Sequence, residues 1–218
     1  MRTFLVVEGT VGSGKTTLIE KIVSYLDLKP FYELSDPGIE NLLKDFYRDR
    51  KRWAFTLQIL FLTFRYEQIR KASRMEKAVL DRSIFGDIIF ARMLHHYGEM
   101  NDSEMMVYER LYRALISSVF PPFLMVYLRV PTDLAIERIV ERGRDYELVV
   151  EREYWDRLNR EYENFFSSYS LSPLLVINAE NYDWVKSEED SQRVVCEIEK
   201  VLRKSIRGEI QSGWKKEI

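Results

Sequence analysis

The sequence predicts an α/β fold in which helices cover both faces of a parallel five-stranded sheet, and three observations predict it. Apolar runs at residues 3–7, 78–80, 123–130 and 174–177 are continuous rather than alternating, the mark of strands buried on both faces. Helical patterns lie between them, which is the alternation of βαβ units. A glycine-rich turn from Gly9 to Thr16 separates the first run from the first helical pattern.

Taken in chain order, the first strand leads into Gly9-Thr10-Val11-Gly12-Ser13-Gly14-Lys15-Thr16, which fits G-x-x-x-x-G-K-[ST] between a strand and a helix. Glycines let such a loop curl so that its backbone N–H groups face phosphate oxygens. Lys15 offers a point charge to the β- and γ-phosphates, the Thr16 hydroxyl suits Mg2+, and the helix from Thr17 adds its positive end. The expectation is a three-layer P-loop NTPase fold that binds a nucleoside triphosphate.

Residues 17–26 form the first helix, and 30–32 a short second strand. A long helix over 53–71 places Phe55, Ile59, Leu62 and Tyr66 near one face, and Gln58 and Arg65, seven apart, share a face too. The strand at 78–80 ends in Asp81-Arg82-Ser83. Ligands of open parallel sheets bind beyond the carboxyl ends of the strands, so Asp81 is expected to hold Mg2+ and Arg82 to neutralise the transferring group. A helix over 103–118 is capped by Ser103. After the strand at 123–130, the helix at 134–142 carries Arg138 and Arg142 four apart, ended by Gly143 and followed by Arg144. Like charges so placed repel unless an anion lies between them, so the three arginines read as a lid over triphosphate. The strand at 174–177 and a helix over 188–203, capped by Ser187, complete a single domain, residues 1–205. The polar tail, residues 206–218, is expected to be frayed or ordered only in a dimer.

Composition narrows the acceptor. In 218 residues, 33 Lys and Arg nearly balance 35 Asp and Glu, for a net charge of −2, which argues against a polymeric nucleic-acid partner. The single cysteine, Cys196, permits no internal disulfide. No run approaches a membrane span and no signal peptide is evident, so a cytoplasmic location is expected.

The segments GTVGSGKTT, LDRSIFGD and ERIVERGRDYE, with residues 29–68, give the chain its resemblance to the deoxynucleoside kinases, above all the bacterial deoxyadenosine/deoxyguanosine branch. It runs from the N-terminus to about Arg203. The resemblance implies transfer of the γ-phosphoryl group of ATP or another triphosphate to the 5′-hydroxyl of a deoxynucleoside, in a homodimer. It implies that Glu33 orients that hydroxyl with Arg82 beside it, and that Tyr47 and Glu147 hold the 3′-hydroxyl. It implies further that Gln58, Arg65 and Asp87 read the base edge, and that Phe61 and Phe85 sandwich the ring. Leu34 stands where many relatives have proline after the glutamate, a feature compatible with the purine branch. Arg65 with Asp87 points to deoxyadenosine or deoxyguanosine, with deoxycytidine next.

Two rival readings fit the sequence less well. Thymidylate kinase shares the loop and the Asp-Arg strand end, but its Arg-Glu-Pro order is missing around Ser35-Asp36-Pro37. A GTP-binding regulatory module requires an N-K-x-D motif, which the sequence lacks.

Overall fold

The computed structural model describes residues 3–32 and 37–218. Six parallel strands form its sheet: β1 (Thr3–Gly9), β2 (Lys29–Phe31), β3 (Lys77–Asp81), β4 (Leu124–Arg129), β5 (Leu174–Asn178) and β6 (Lys215–Glu217), in the order β2-β3-β1-β4-β5-β6. Because β1 is central, its carboxyl end opens beside that of β3, with Val7 opposite Asp81, and beside that of β4, with Gly9 opposite Leu128. The chain reverses its direction of travel across the sheet here, which is where doubly wound folds leave a crevice.

Strand residues alternate between two cores. Phe4 and Val6 face a layer built from α3 (Arg50–Ala72), α4 (Ile84–His96), α5 (Asp102–Ile116) and α8 (Arg152–Ser167). Leu5 and Val7 face the other layer, where α1 (Lys15–Leu26) and α9 (Glu188–Ile206) pack. The remaining helices are α2 (Pro37–Arg48), α6 (Thr132–Arg142) and the single turn α7 (Asp145–Leu148). Pro30 is tolerated in β2 because that strand is an edge.

The three-layer architecture matches the sequence expectation, with three differences. The sheet has a sixth strand: the tail expected to fray returns to β5, where Ile218 N–H donates to Val176 O and Leu174 N–H to Trp214 O. Its exposed Lys-Lys-Glu sequence suits an edge, where charge discourages pairing with another chain. The sequence expectation lacks helices α2, α4, α7 and α8. Helix α4 is buried on nearly every side, so it shows no polar face, and the stripe of α8 consists mostly of rings, Tyr154, Trp155, Tyr162 and Phe166 with Leu158. Helix α5 starts earlier than Ser103: Asn101 and Glu104 form a reciprocal capping box.

Candidate active site

The phosphate loop lies where the motif puts it. Gly14 is the N-cap of α1 with φ 86°, and no acidic residue occupies the first turn, so the helix presents an unneutralised positive end. Gly12 has φ 77°, and a Cβ there would come within 2.3 Å of Ala135 O, so only glycine lets the loop pass beneath α6. Lys15 Nζ donates to Thr10 O at 2.8 Å and to Ser13 Oγ at 3.4 Å. Thr16 Oγ1 donates to Asp81 Oδ2 at 3.3 Å, which brings the two candidate metal ligands together.

Arg82 follows Asp81 with φ 63°, a left-handed conformation that an arginine rarely adopts. Such strain persists where the surroundings enforce it. Here Arg82 N–H donates to Val7 O at 2.9 Å, and the guanidinium donates to Gly9 O at 3.3 and 3.4 Å while lying over the Phe90 ring.

The three lid arginines divide. Arg138 braces the protein rather than projecting toward a ligand. It donates to Ser13 O and Ala179 O, both at 3.3 Å, and lies over Trp184, whose Nε1–H donates to Gly14 O at 3.2 Å. Burial pulls the Arg138 pKa below its ordinary value. Arg142 and Arg144 instead flank the buried Glu147: Arg142 pairs with Oε2, and Arg144 Nη1 lies 3.4 Å from Oε1. Gly143, left-handed at φ 70°, makes the turn between α6 and α7 that brings all three together.

Two cavities meet at this seam. One, of about 420 Å³, is lined by Tyr47, Gln58, Phe61, Arg65, Asp81, Arg82 and Glu147 among the expected residues. The other, of about 800 Å³, is lined by Gly12, Gly14, Thr17, Arg138 and the loop between β5 and α9. Lys15, Thr16, Arg142 and Arg144 line both. The smaller cavity has a nucleoside-like mix of demands met: aromatic faces, an amide and charged groups converging on a half-enclosed space. The Tyr47 hydroxyl is held protonated, its pKa pushed well up by burial first and then by Tyr154 and Glu147.

Two expected residues do not line this cavity. Phe85 is buried in the core, with its carbonyl accepting from Tyr112, and Phe90, two turns into α4, presents its ring instead. Asp87 sits behind Arg65. It forms an ion pair with that guanidinium and accepts from Tyr108 Oη at 2.8 Å, so it aims Arg65 rather than facing the cavity. Glu33 lies outside the described residues. Just before it, Tyr32 lines the cavity, and its carbonyl accepts from Gln68 Nε2 at 2.8 Å.

Sequence reasoning missed Phe90, Tyr154, Phe46 and Leu43 in the cavity wall, and Trp184 beside the loop. Phe90 stands three residues after Asp87 on one helix, a spacing that could have found it. Trp184 is buried by a contact 170 residues away in sequence, which no local pattern signals. Among the described residues no group of three or more His, Cys, Asp or Glu could hold a metal ion. None of their helices is long and apolar enough to cross a membrane.

Comparison with known proteins identifies the family and the fold. The family model described as Deoxynucleoside kinase matches residues 5–203. A deoxyguanosine kinase of Lactobacillus acidophilus is 34% identical over 223 residues, covering 98% of this chain and 96% of that protein. A deoxyadenosine/deoxycytidine kinase of Bacillus subtilis is also 34% identical, covering 92% of this chain and 93% of its own. A solved structure of deoxyadenosine kinase from M. mycoides, with products dCMP and dCDP bound, superposes with a TM-score of 0.79 at 29% identity, over 91% of this chain and all of the other.

Proposed function

The chain belongs to the deoxynucleoside kinase family, and from that premise we propose that it moves the γ-phosphoryl group of ATP to the 5′-hydroxyl of a purine deoxynucleoside, deoxyadenosine or deoxyguanosine, in preference to deoxycytidine. The meeting of two cavities at Lys15, Thr16, Arg142 and Arg144 carries this reading. The triphosphate lies along the loop from the larger cavity, and the deoxynucleoside fills the smaller one. The transferred group crosses a seam lined by cations.

Phosphoryl transfer asks mainly for alignment and charge stabilisation. Lys15 and the loop amides fix the β- and γ-phosphates, and Arg142 and Arg144 close on the group in flight. Arg82 stands at the acceptor end, and Glu33 orients the hydroxyl proton, as the family pattern assigns. Tyr47 and Glu147 hold the sugar. Gln58 supplies both a donor and an acceptor to the base edge and Arg65 only donors, while Phe61 and Phe90 bound the ring.

Thr16 and Asp81 offer hard oxygen donors 3.3 Å apart, a set that suits Mg2+ completed by phosphate oxygens. When bound, the ion would neutralise charge on the phosphates. The same reading makes the enzyme a cytoplasmic homodimer, and the exposed Met106 and Val107 on α5 offer an apolar surface for the second copy; light scattering tests that state.

Initial rates with MgATP against the four deoxynucleosides, their ribose counterparts and dTMP test the reading. Purine deoxynucleosides should give the highest kcat/KM, with a 5′-monophosphate as product by 31P NMR. A preference for dTMP, or ATP turnover indifferent to every deoxynucleoside, would overturn it.

A further inference from the structure

Glu8 is a fully buried carboxylate to which the reaction outlined above gives no part. It sits on the face of β1 whose other residues, Phe4 and Val6, are apolar core. A hydrocarbon side chain would be cheaper there, since burying a carboxylate carries a large desolvation cost. Its bonds show what the carboxylate does. Oε1 accepts from Ser83 N–H at 2.9 Å and from Ser83 Oγ at 3.3 Å, while Oε2 has no hydrogen-bond partner among the described residues. Among the described residues, all of its hydrogen bonding goes to Ser83.

Ser83 is the N-cap of α4, yet its own side chain makes no capping bond. Glu8 reaches in from the neighbouring strand and accepts the N–H of the N-cap residue itself, the bond that a glutamate at the third helical position supplies in a capping box. The approach depends on Gly86 in the first turn of α4, where a Cβ would lie 2.5 Å from Oε1. The residue held next to Ser83 is Arg82, in its left-handed conformation. Three successive residues of β1 thus grip one turn: Val7 O takes Arg82 N–H, Glu8 takes Ser83, and Gly9 O takes the Arg82 guanidinium. The same three residues run straight into the phosphate loop.

We infer that Glu8 is a positioning residue for phosphoryl transfer: its Oε1 locks the strained turn that sets Arg82 against the phosphate loop. The inference rests on the reading of Arg82 as a group at the reacting centre. Misplacing such a group by about 1 Å can cost on the order of 100-fold in rate.

A double-mutant cycle on the full-length enzyme tests it, with kcat and both KM values measured for E8A, E8Q, R82A and E8A/R82A. E8A should lower kcat by about 10- to 100-fold, with KM for ATP changed less than about 2-fold. E8Q keeps an acceptor oxygen and should restore kcat to within about 3-fold of wild type. In the R82A background, adding E8A should cost less than about 2-fold, because residues acting through one another are not additive. Full kcat in E8A, E8Q as slow as E8A, or the same loss in both backgrounds would overturn the inference. If E8A does not fold, E8D replaces it, since the shortened chain withdraws the carboxylate from Ser83 and should slow the reaction likewise. Wild-type kcat in R82A alone would refute the reading of Arg82, and with it the inference, even if E8A were slow.

Discussion

Lys15 bends back over its own loop and donates to Thr10 O, a posture that keeps its charge at the seam between the cavities. Replacing it by alanine should lower kcat by about 100- to 1000-fold with the fold intact, checked by circular dichroism beside the rate. Glu8 makes a separate prediction about stability. Burial pushes its pKa from 4.5 up to about 7, against the opposing pull of Arg65, Arg82 and Lys15; Tyr112 and Tyr169 also face it. A carboxyl with a raised folded pKa binds more protons in the native state than in the unfolded one, so its contribution is complete below about pH 4.5 and is lost as pH rises through about 7. The Tm of E8Q relative to wild type should therefore climb between those limits, and a constant difference would reject the shift. Asp87→Ala should change the ratio of kcat/KM values among bases, and it should also destabilise the protein by about 3 kcal/mol, because the buried Arg65 guanidinium would lose its ion pair with Asp87. An unchanged ratio would show that Asp87 does not aim Arg65. At this scale the motif residues of the phosphate loop, Asp81 and Arg82 were legible because local spacing defines them. The second rank was not: Tyr108 and Glu8 act through contacts made only once the sheet and helices have assembled.

The elements around the triphosphate are tied to one another more than the sequence suggests. Trp184, in the loop after β5, donates to Gly14 O, and Arg138 on α6 reaches both Ser13 and Ala179. Loop, lid helix and donor-side wall are therefore tied together, whereas Arg142 and Arg144, at the end of that helix, bond to Glu147 in the next turn. Trp184→Phe, which keeps an aromatic ring but removes the N–H and shrinks the indole to a phenyl group, should raise KM for ATP by about 3- to 10-fold, the worth of about one hydrogen bond, while KM for the deoxynucleoside stays within 2-fold. Equal effects on both would contradict the division of the site. The lid helix and its glycine stop were readable from like charges four apart. That Arg138 would turn away from the other two arginines was not, since its partners are backbone carbonyls from distant segments.

Across the whole molecule, the doubly wound sheet was evident in its continuous apolar strands, and the crevice beyond their carboxyl ends followed from it. The sixth strand escaped because three charged residues carry no strand pattern; main-chain bonds from Trp214 and Ile218 to β5, with the Trp214 ring against the core, hold it in place. Removing residues 213–218 should lower Tm by several degrees and promote association through the uncovered edge of β5, with kcat unchanged, because no residue of β6 lines either cavity. In the proposed reaction each of the two cavities takes one substrate, and they share Lys15, Thr16, Arg142 and Arg144. Titration calorimetry of deoxyguanosine into enzyme saturated with a non-hydrolysable ATP analogue and Mg2+ measures this directly. One deoxynucleoside should bind each chain while the analogue stays bound, and a single adenosine–oligophosphate–deoxyguanosine conjugate should displace both. Mutual exclusion of the two separate ligands would contradict it.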